Sequence, residues 1–201
     1  MPRERAVALV LNETRPNWRN LAIHECSPAP RGISLKMQAE CRSYVKSNYF
    51  EGDRFGATIR DHRNENLESQ TFADATFDIV VTIDVFEHLF DPAAALREIF
   101  RTLRPGGVMI SAFPMVKQLS DAVRWRARRE ADGSVTHLLP AQYHGNPISS
   151  EGSLVTVDYG YDAHIQFAEW APFDVRVQRF ADRTAGVLGE FTDVFLCTKP
   201  H

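Results

Sequence analysis

Apolar positions along this chain fall into a few regular patterns, and the sharpest run from Phe77 to Pro114. Ile79, Val80 and Val81 form a continuous β-branched run, the mark of a strand covered on both faces, and Val108 to Ala112 repeats it. Between the two runs, Leu96, Ile99, Phe100 and Leu103 recur at helical spacing and predict a single apolar stripe. Asp91 stands at the N-cap position with Pro92 behind it, and Arg104, Pro105, Gly106 and Gly107 end the helix. Parallel neighbours need a crossover, so strand, helix and strand read as one βαβ unit. The loop from Asp84 to Phe90 then lies at the carboxyl end of the first strand, where open α/β sheets bind their ligands.

The flanking segments extend the pattern. Leu21 to Cys26 predicts a strand, followed by a tight loop to Gly32 and a helix carrying Ile33, Leu35 and Met37. Ser43 to Tyr49 and Ala57 to Arg60 predict a second and a third strand, and 64–76 is polar and irregular. The apolar run from Ala6 to Leu11 reads as a short strand or arm. Ser120 to Glu130 predicts a helix, and 131–153 a long polar loop, a feature that in compact domains is functional or disordered. Phe173 to Phe180 and Thr192 to Thr198 alternate like antiparallel strands. Together these predict an α/β fold: a doubly wound, Rossmann-like sheet, mostly parallel, with an antiparallel C-terminal strand pair, in one domain over 1–201.

Composition narrows the function classes. The 201 residues are 44% hydrophobic and 24% charged, as a well-cored globular domain requires. A net charge of −3 offers no global attraction to nucleic acid, and none is expected as a partner. The basic run Arg124 to Arg129 reads as a solvated helix face. No apolar stretch is long enough to span a membrane and the amino terminus lacks a signal-peptide core, so the expected location is cytoplasmic, with no membrane partner. Cys26, Cys41 and Cys197 are too few and too scattered for a disulfide framework or a zinc site. The seven histidines show no metal-binding spacing, and no metal is expected.

The segment FDIVVTIDVFEHLFDPAAALREIFRTLRPGG resembles the later motifs of class I S-adenosylmethionine-dependent methyltransferases, particularly small bacterial methyltransferase type 11-like proteins. The resemblance implies S-adenosylmethionine as cofactor and methyl transfer to a small-molecule or glycan acceptor. It places Glu25 and Ser27 at the end of the first strand, in the cofactor's glycine-rich loop, here largely replaced by SPAPR. It places Asn48 and Tyr49 at the ribose position, Asn66 and Leu67 at the adenine, and Asp84 and Val85 along the cofactor. An amide at Asn48 or Asn66 can donate or accept, but lacks the charge-assisted strength of the family's carboxylates. His88, His144 and Asp158 are candidate bases, because a protonated nucleophile must lose its proton and imidazole titrates near neutral pH. Residues 131–160 are expected to cover the substrate. Two other readings stand beside this one. The replaced glycines and acids also suit a methyltransferase-like binding or accessory protein without activity, and the same fold could host a non-methylating reaction. A nicotinamide-binding enzyme is disfavoured, since no G-x-G-x-x-G follows a strand.

Overall fold

The computed structural model describes residues 1–116, 123–146 and 149–201. The predicted βαβ unit is present: β5 (Phe77–Ile83), α3 (Pro92–Thr102) and β6 (Leu103–Ala112), with β5 and β6 parallel. Asp91 caps α3 by accepting from the Ala94 amide at 2.8 Å, and Pro92 occupies the first turn, where its missing N–H costs no hydrogen bond. Gly107 is required at the entry to β6, because a Cβ there would stand 2.9 Å from the Arg104 carbonyl oxygen.

The other parallel strands are β1 (Ala22–Cys26), β2 (Ser43–Asn48) and the short β4 (His62–Asn64). The third strand expected at Ala57 to Arg60 is displaced. Thr58–Ile59 forms an antiparallel edge, β3, that folds back on β4, and β4 takes the third parallel place. At the opposite side, β13 (Asp174–Gln178) and β14 (Val194–Thr198) form the antiparallel pair, with β14 on β6. Among the described residues the sheet has eight strands in the order β13-β14-β6-β5-β1-β2-β4-β3.

Both faces of this sheet are covered, as its continuous apolar strands demand. Ile79 and Val81 point into one cluster with α1 (Pro2–Thr14) and α2 (Gly32–Glu40), while Val80 joins α3 and α4 (Ala163–Trp170) in the other. The first of these helices corrects the expected strand or arm at the amino terminus. Ala6, Val7, Val10 and Leu11 lie on one helical face and are fully buried, and Pro2 starts the helix. A short Ala/Val/Leu run carries too few turns to separate the two periods by sequence. Helix α4, absent from the sequence expectation, brings Phe167 against Phe113 and Phe195.

Between β6 and α4 lies an added layer. The helix expected over Ser120 to Glu130 is not formed in its described part: Val123–Trp125 is β7 and Ala127–Arg129 is β8, while 120–122 fall outside the described residues. The expected long loop likewise carries strands. These are β9 (Val135–His137), paired with β8, and β10 (Tyr143–Asn146), paired with β11 (Ser149–Leu154), followed by β12 (Val157–Tyr159) on β7. Gly152 makes the β10–β11 hairpin possible: its φ is +80° and a Cβ would lie 2.6 Å from the His144 carbonyl oxygen.

Candidate active site

Strand ends converge on a cavity of about 660 Å³. Ser27 follows β1, Asn48 and Tyr49 end β2, Asn66 and Leu67 follow β4, and Asp84 and Val85 follow β5; all seven line it. Ser27 and Asp84 hold left-handed backbone angles, φ 54° and 56°, which non-glycine residues seldom adopt and which cluster at functional sites. In this way the mouth of the parallel sheet gathers most of the residues expected at the cofactor.

Their side chains differ in what they can offer. Asn48 is buried; its Oδ1 accepts from the Tyr49 amide, while its Nδ2 has no hydrogen-bond partner among the described residues and can donate into the cavity. Asn66 uses its Oδ1 on the Glu68 amide at 2.9 Å, a local turn contact. Glu65, beside it, is buried and held by Arg63 and Thr71. Glu25 is not on the cavity wall. It lies beneath, 1% exposed, accepting from Ser34 Oγ and from the Tyr44 hydroxyl at 2.6 Å, and burial pushes its pKa up to about 7. Strand alternation explains this, since in β1 Cys26 and Glu25 must face opposite sides of the sheet.

Asp84 is paired with Arg3, which reaches over from α1. Burial foremost, and then the neighbouring Glu87 carboxylate, raise the Asp84 pKa, with Arg3 opposing. Arg3 also lies 5.2 Å from the Phe191 ring centroid. Sequence gave no sign of this residue, because its partner is a whole fold away.

A second cavity, about 620 Å³, opens on the other side of Gly145, which lines both. Its walls carry Arg3, Glu87, Arg124, Arg126, His144 and Asp158. Asp158 is engaged: its Oδ2 accepts from Arg124 Nη2 at 2.7 Å and from Arg126 Nη1 at 3.0 Å, joining β12 to β7. That clamp is a better account of Asp158 than proton transfer. It also corrects the reading of Arg124 to Arg129 as a solvated face, since the Arg126 side chain is only 14% exposed and Arg129 stacks on Phe90 at the first cavity.

His88 and His144 meet around Glu87. The two rings are 5.5 Å apart, and the Glu87 carboxylate, 2% exposed, lies 3.6 Å from His144 Nδ1 and 3.8 Å from His88 Nε2. The carboxylate raises the His144 pKa, against burial. Backbone contacts place this group: Thr156 N donates to the Glu87 carbonyl at 2.8 Å, and the Tyr159 hydroxyl to that of Phe86. The layer that supplies His144 is therefore stitched directly to the loop that supplies Glu87 and His88.

Comparison with known proteins agrees with this architecture. Residues 33–111 match the family described as a methyltransferase domain. A ubiquinone biosynthesis O-methyltransferase of Cereibacter sphaeroides is 41% identical over 83 residues, 41% of this chain and 28% of that protein. The chain spans 21 to 28% of the length of the first curated relatives it matches. Among solved structures, an S-adenosylmethionine-dependent methyltransferase from Mesorhizobium loti covers 96% of each chain at 14% identity and a TM-score of 0.59. The 1,6-didemethyltoxoflavin N1-methyltransferase of Burkholderia thailandensis, solved with S-adenosylhomocysteine and its substrate, covers all of this chain and 79% of its own at 13% identity, with a TM-score of 0.60. With the dense motif from Phe77 to Gly107 set on a sheet of this order, residues 33–111 are similar to the methyltransferase domain family, and the whole chain shares the fold of S-adenosylmethionine-dependent methyltransferases.

Proposed function

We propose that the chain transfers the methyl group of S-adenosylmethionine to a hydroxyl oxygen of a small molecule. The observation that carries this reading is the pair of cavities meeting at Gly145, one at the strand ends and one beneath the added layer. Each has the size of a small-molecule site. The strand-end cavity takes the donor: Asn48 Nδ2 donates to a ribose oxygen, Asp84 accepts from the ammonium end in exchange for Arg3, and Ser27 and Val85 border the chain between. Glu25 supports the loop from beneath. The second cavity takes the acceptor, whose oxygen attacks the methyl carbon as the bond to sulfur breaks, releasing S-adenosylhomocysteine. The acceptor proton leaves toward Glu87, His88 and His144. Sulfur departs neutral, so catalysis rests mainly on alignment and on that proton. The name of the Cereibacter relative favours oxygen as the acceptor atom.

Calorimetric titration with S-adenosylhomocysteine tests the donor half, with micromolar binding expected. Asn48→Ala and Asp84→Ala should each weaken it roughly 10- to 100-fold, the range for losing a hydrogen bond to a charged or buried partner. A role as a binding or accessory protein without methylation draws on one observation, the Arg3–Asp84 pair across the cavity mouth. Silence at millimolar ligand, together with an Arg3→Ala variant that stays silent, would favour that role.

A further inference from the structure

We propose that Glu87, His88 and His144 form a binding site for one divalent first-row transition ion such as zinc. Glu87 and His88 are chain neighbours in the β5–α3 loop, and His144 joins them from β10, far along the chain. Their ligand atoms nevertheless lie within 4.8 Å of one another. The separations of 3.6 and 3.8 Å from Glu87 Oε1 to the two imidazole nitrogens are too long for hydrogen bonds. They are close to the roughly 3.3 Å edge of a tetrahedron with metal bonds of about 2.0 Å.

Two further observations favour a cation over a simple salt bridge. Both carboxylate oxygens of Glu87 are buried with no hydrogen-bond partner among the described residues, a costly state that a coordinated ion would relieve. The His88 imidazole is also oriented through its outer nitrogen. His88 Nδ1 lies 2.8 Å from the Leu154 carbonyl oxygen, to which it can only donate, leaving the Nε2 lone pair toward Glu87. His144 turns Nδ1 toward Glu87, while its Nε2 lies 3.3 Å from Gln142 Nε2. Outer hydrogen bonds that fix the tautomer and aim the lone pair accompany metal-binding histidines generally.

Two imidazoles and one carboxylate suit zinc, iron, cobalt or nickel, and suit magnesium poorly. Three protein ligands leave coordination open, and Glu87 and His144 border the second cavity, so an acceptor oxygen can complete the shell. This last role rests on the proposed methyl transfer; ion binding itself does not. Coordination would acidify an acceptor hydroxyl and leave both imidazoles without a free lone pair, so in the metal-bound form the proton would pass to solvent, whereas in the metal-free form it passes to the three residues as proposed above.

The full chain, stripped with chelator, would be titrated with Co²⁺ while its visible absorption is followed, and then with Zn²⁺ as competitor. One equivalent of Co²⁺ and its displacement by Zn²⁺ are expected. His144→Ala and His88→Ala should each weaken Co²⁺ by more than the roughly 10- to 100-fold cost of losing an outer partner. His137→Ala, an exposed histidine of the same layer, should leave it unchanged. Should His88→Ala misfold by circular dichroism, His144→Ala decides alone. Absence of Co²⁺ binding to the folded chain, or equal binding in His144→Ala and His137→Ala, would overturn the site. S-adenosylhomocysteine binding to the metal-free chain is read separately, so loss of the donor reading and loss of the metal site give different results.

Discussion

The β5–α3–β6 unit and the added layer from β7 to β12 both border the site, yet they are held by different forces. The first is a hydrophobic object: Val80, Leu96, Ile99, Leu103 and Met109 are fully buried, and helix and strands share one core. The second has short strands in two-stranded pairs, fastened by the Arg124–Asp158–Arg126 clamp and by a backbone bond from Thr156 to the Glu87 loop. Apolar burial scales with area and forgives small displacements, whereas a charged clamp depends on a few atoms in one geometry. The Glu87–His88–His144 cluster draws Glu87 and His88 from the first kind of support and His144 from the second.

The comparison can be broken most sharply at Ile99, fully buried under the sheet. Ile99→Ala should cost about 2–5 kcal/mol in denaturant unfolding, because it removes methyl groups and leaves a cavity. A cost under 1 kcal/mol would mean that α3 is not the anchor described here.

Glu25 sharpens it through pH. Its folded pKa of about 7 lies above the ordinary 4.5, with burial as the main cause. The folded state therefore binds this proton more tightly than the unfolded chain. The resulting stability is complete below about pH 4.5 and is lost as pH rises through about 7, amounting to no more than about 3 kcal/mol. Glu25→Gln should flatten that part of the profile; an unchanged slope would place the dependence elsewhere.

Asp158 tests the layer. Asp158→Asn should cost about 1–3 kcal/mol, since it weakens two charge-assisted bonds at a nearly buried position. Hydrogen exchange should rise across 123–146 and 149–159 while α3 keeps its protection. Equal loosening of α3 would show one cooperative unit instead of two differently supported parts. The smallest effect is expected at the helix cap, where Asp91→Ala removes the bond to the Ala94 amide and should cost about 1 kcal/mol without altering the layer's exchange.

These differences in support also explain what could be read in advance. Asp91, Pro92, the Leu96/Ile99 stripe and the glycines at 106 and 107 each specify the same local structure, so the βαβ unit was legible residue by residue. The strand-end residues Ser27, Asn48, Tyr49, Asn66, Leu67, Asp84 and Val85 were legible for a related reason: once strands are known, parallel topology sends their carboxyl ends to one place. Arg124 to Arg129 misled because alternating charge and small residues fit a helix face as well as two short strands, and only pairing with 135–137 and 157–159 chose between them. The proximity of His88 and His144 was not legible, since they show no motif spacing although the fold brings their rings edge-on within 5.5 Å.

By itself, then, the sequence determined the parallel sheet, its main crossover helix, the antiparallel finish and which strand ends share one cavity, because these follow from periodicity and from signals a few residues apart. Only the tertiary structure decided that Glu25 is buried away from the strand-end cavity wall, that Arg3 reaches Asp84, that Asp158 is spent on two arginines, and that the distant His144 joins Glu87 and His88. Those outcomes depend on which face of a strand is buried and on pairings far apart along the chain, and neither is written in any local pattern.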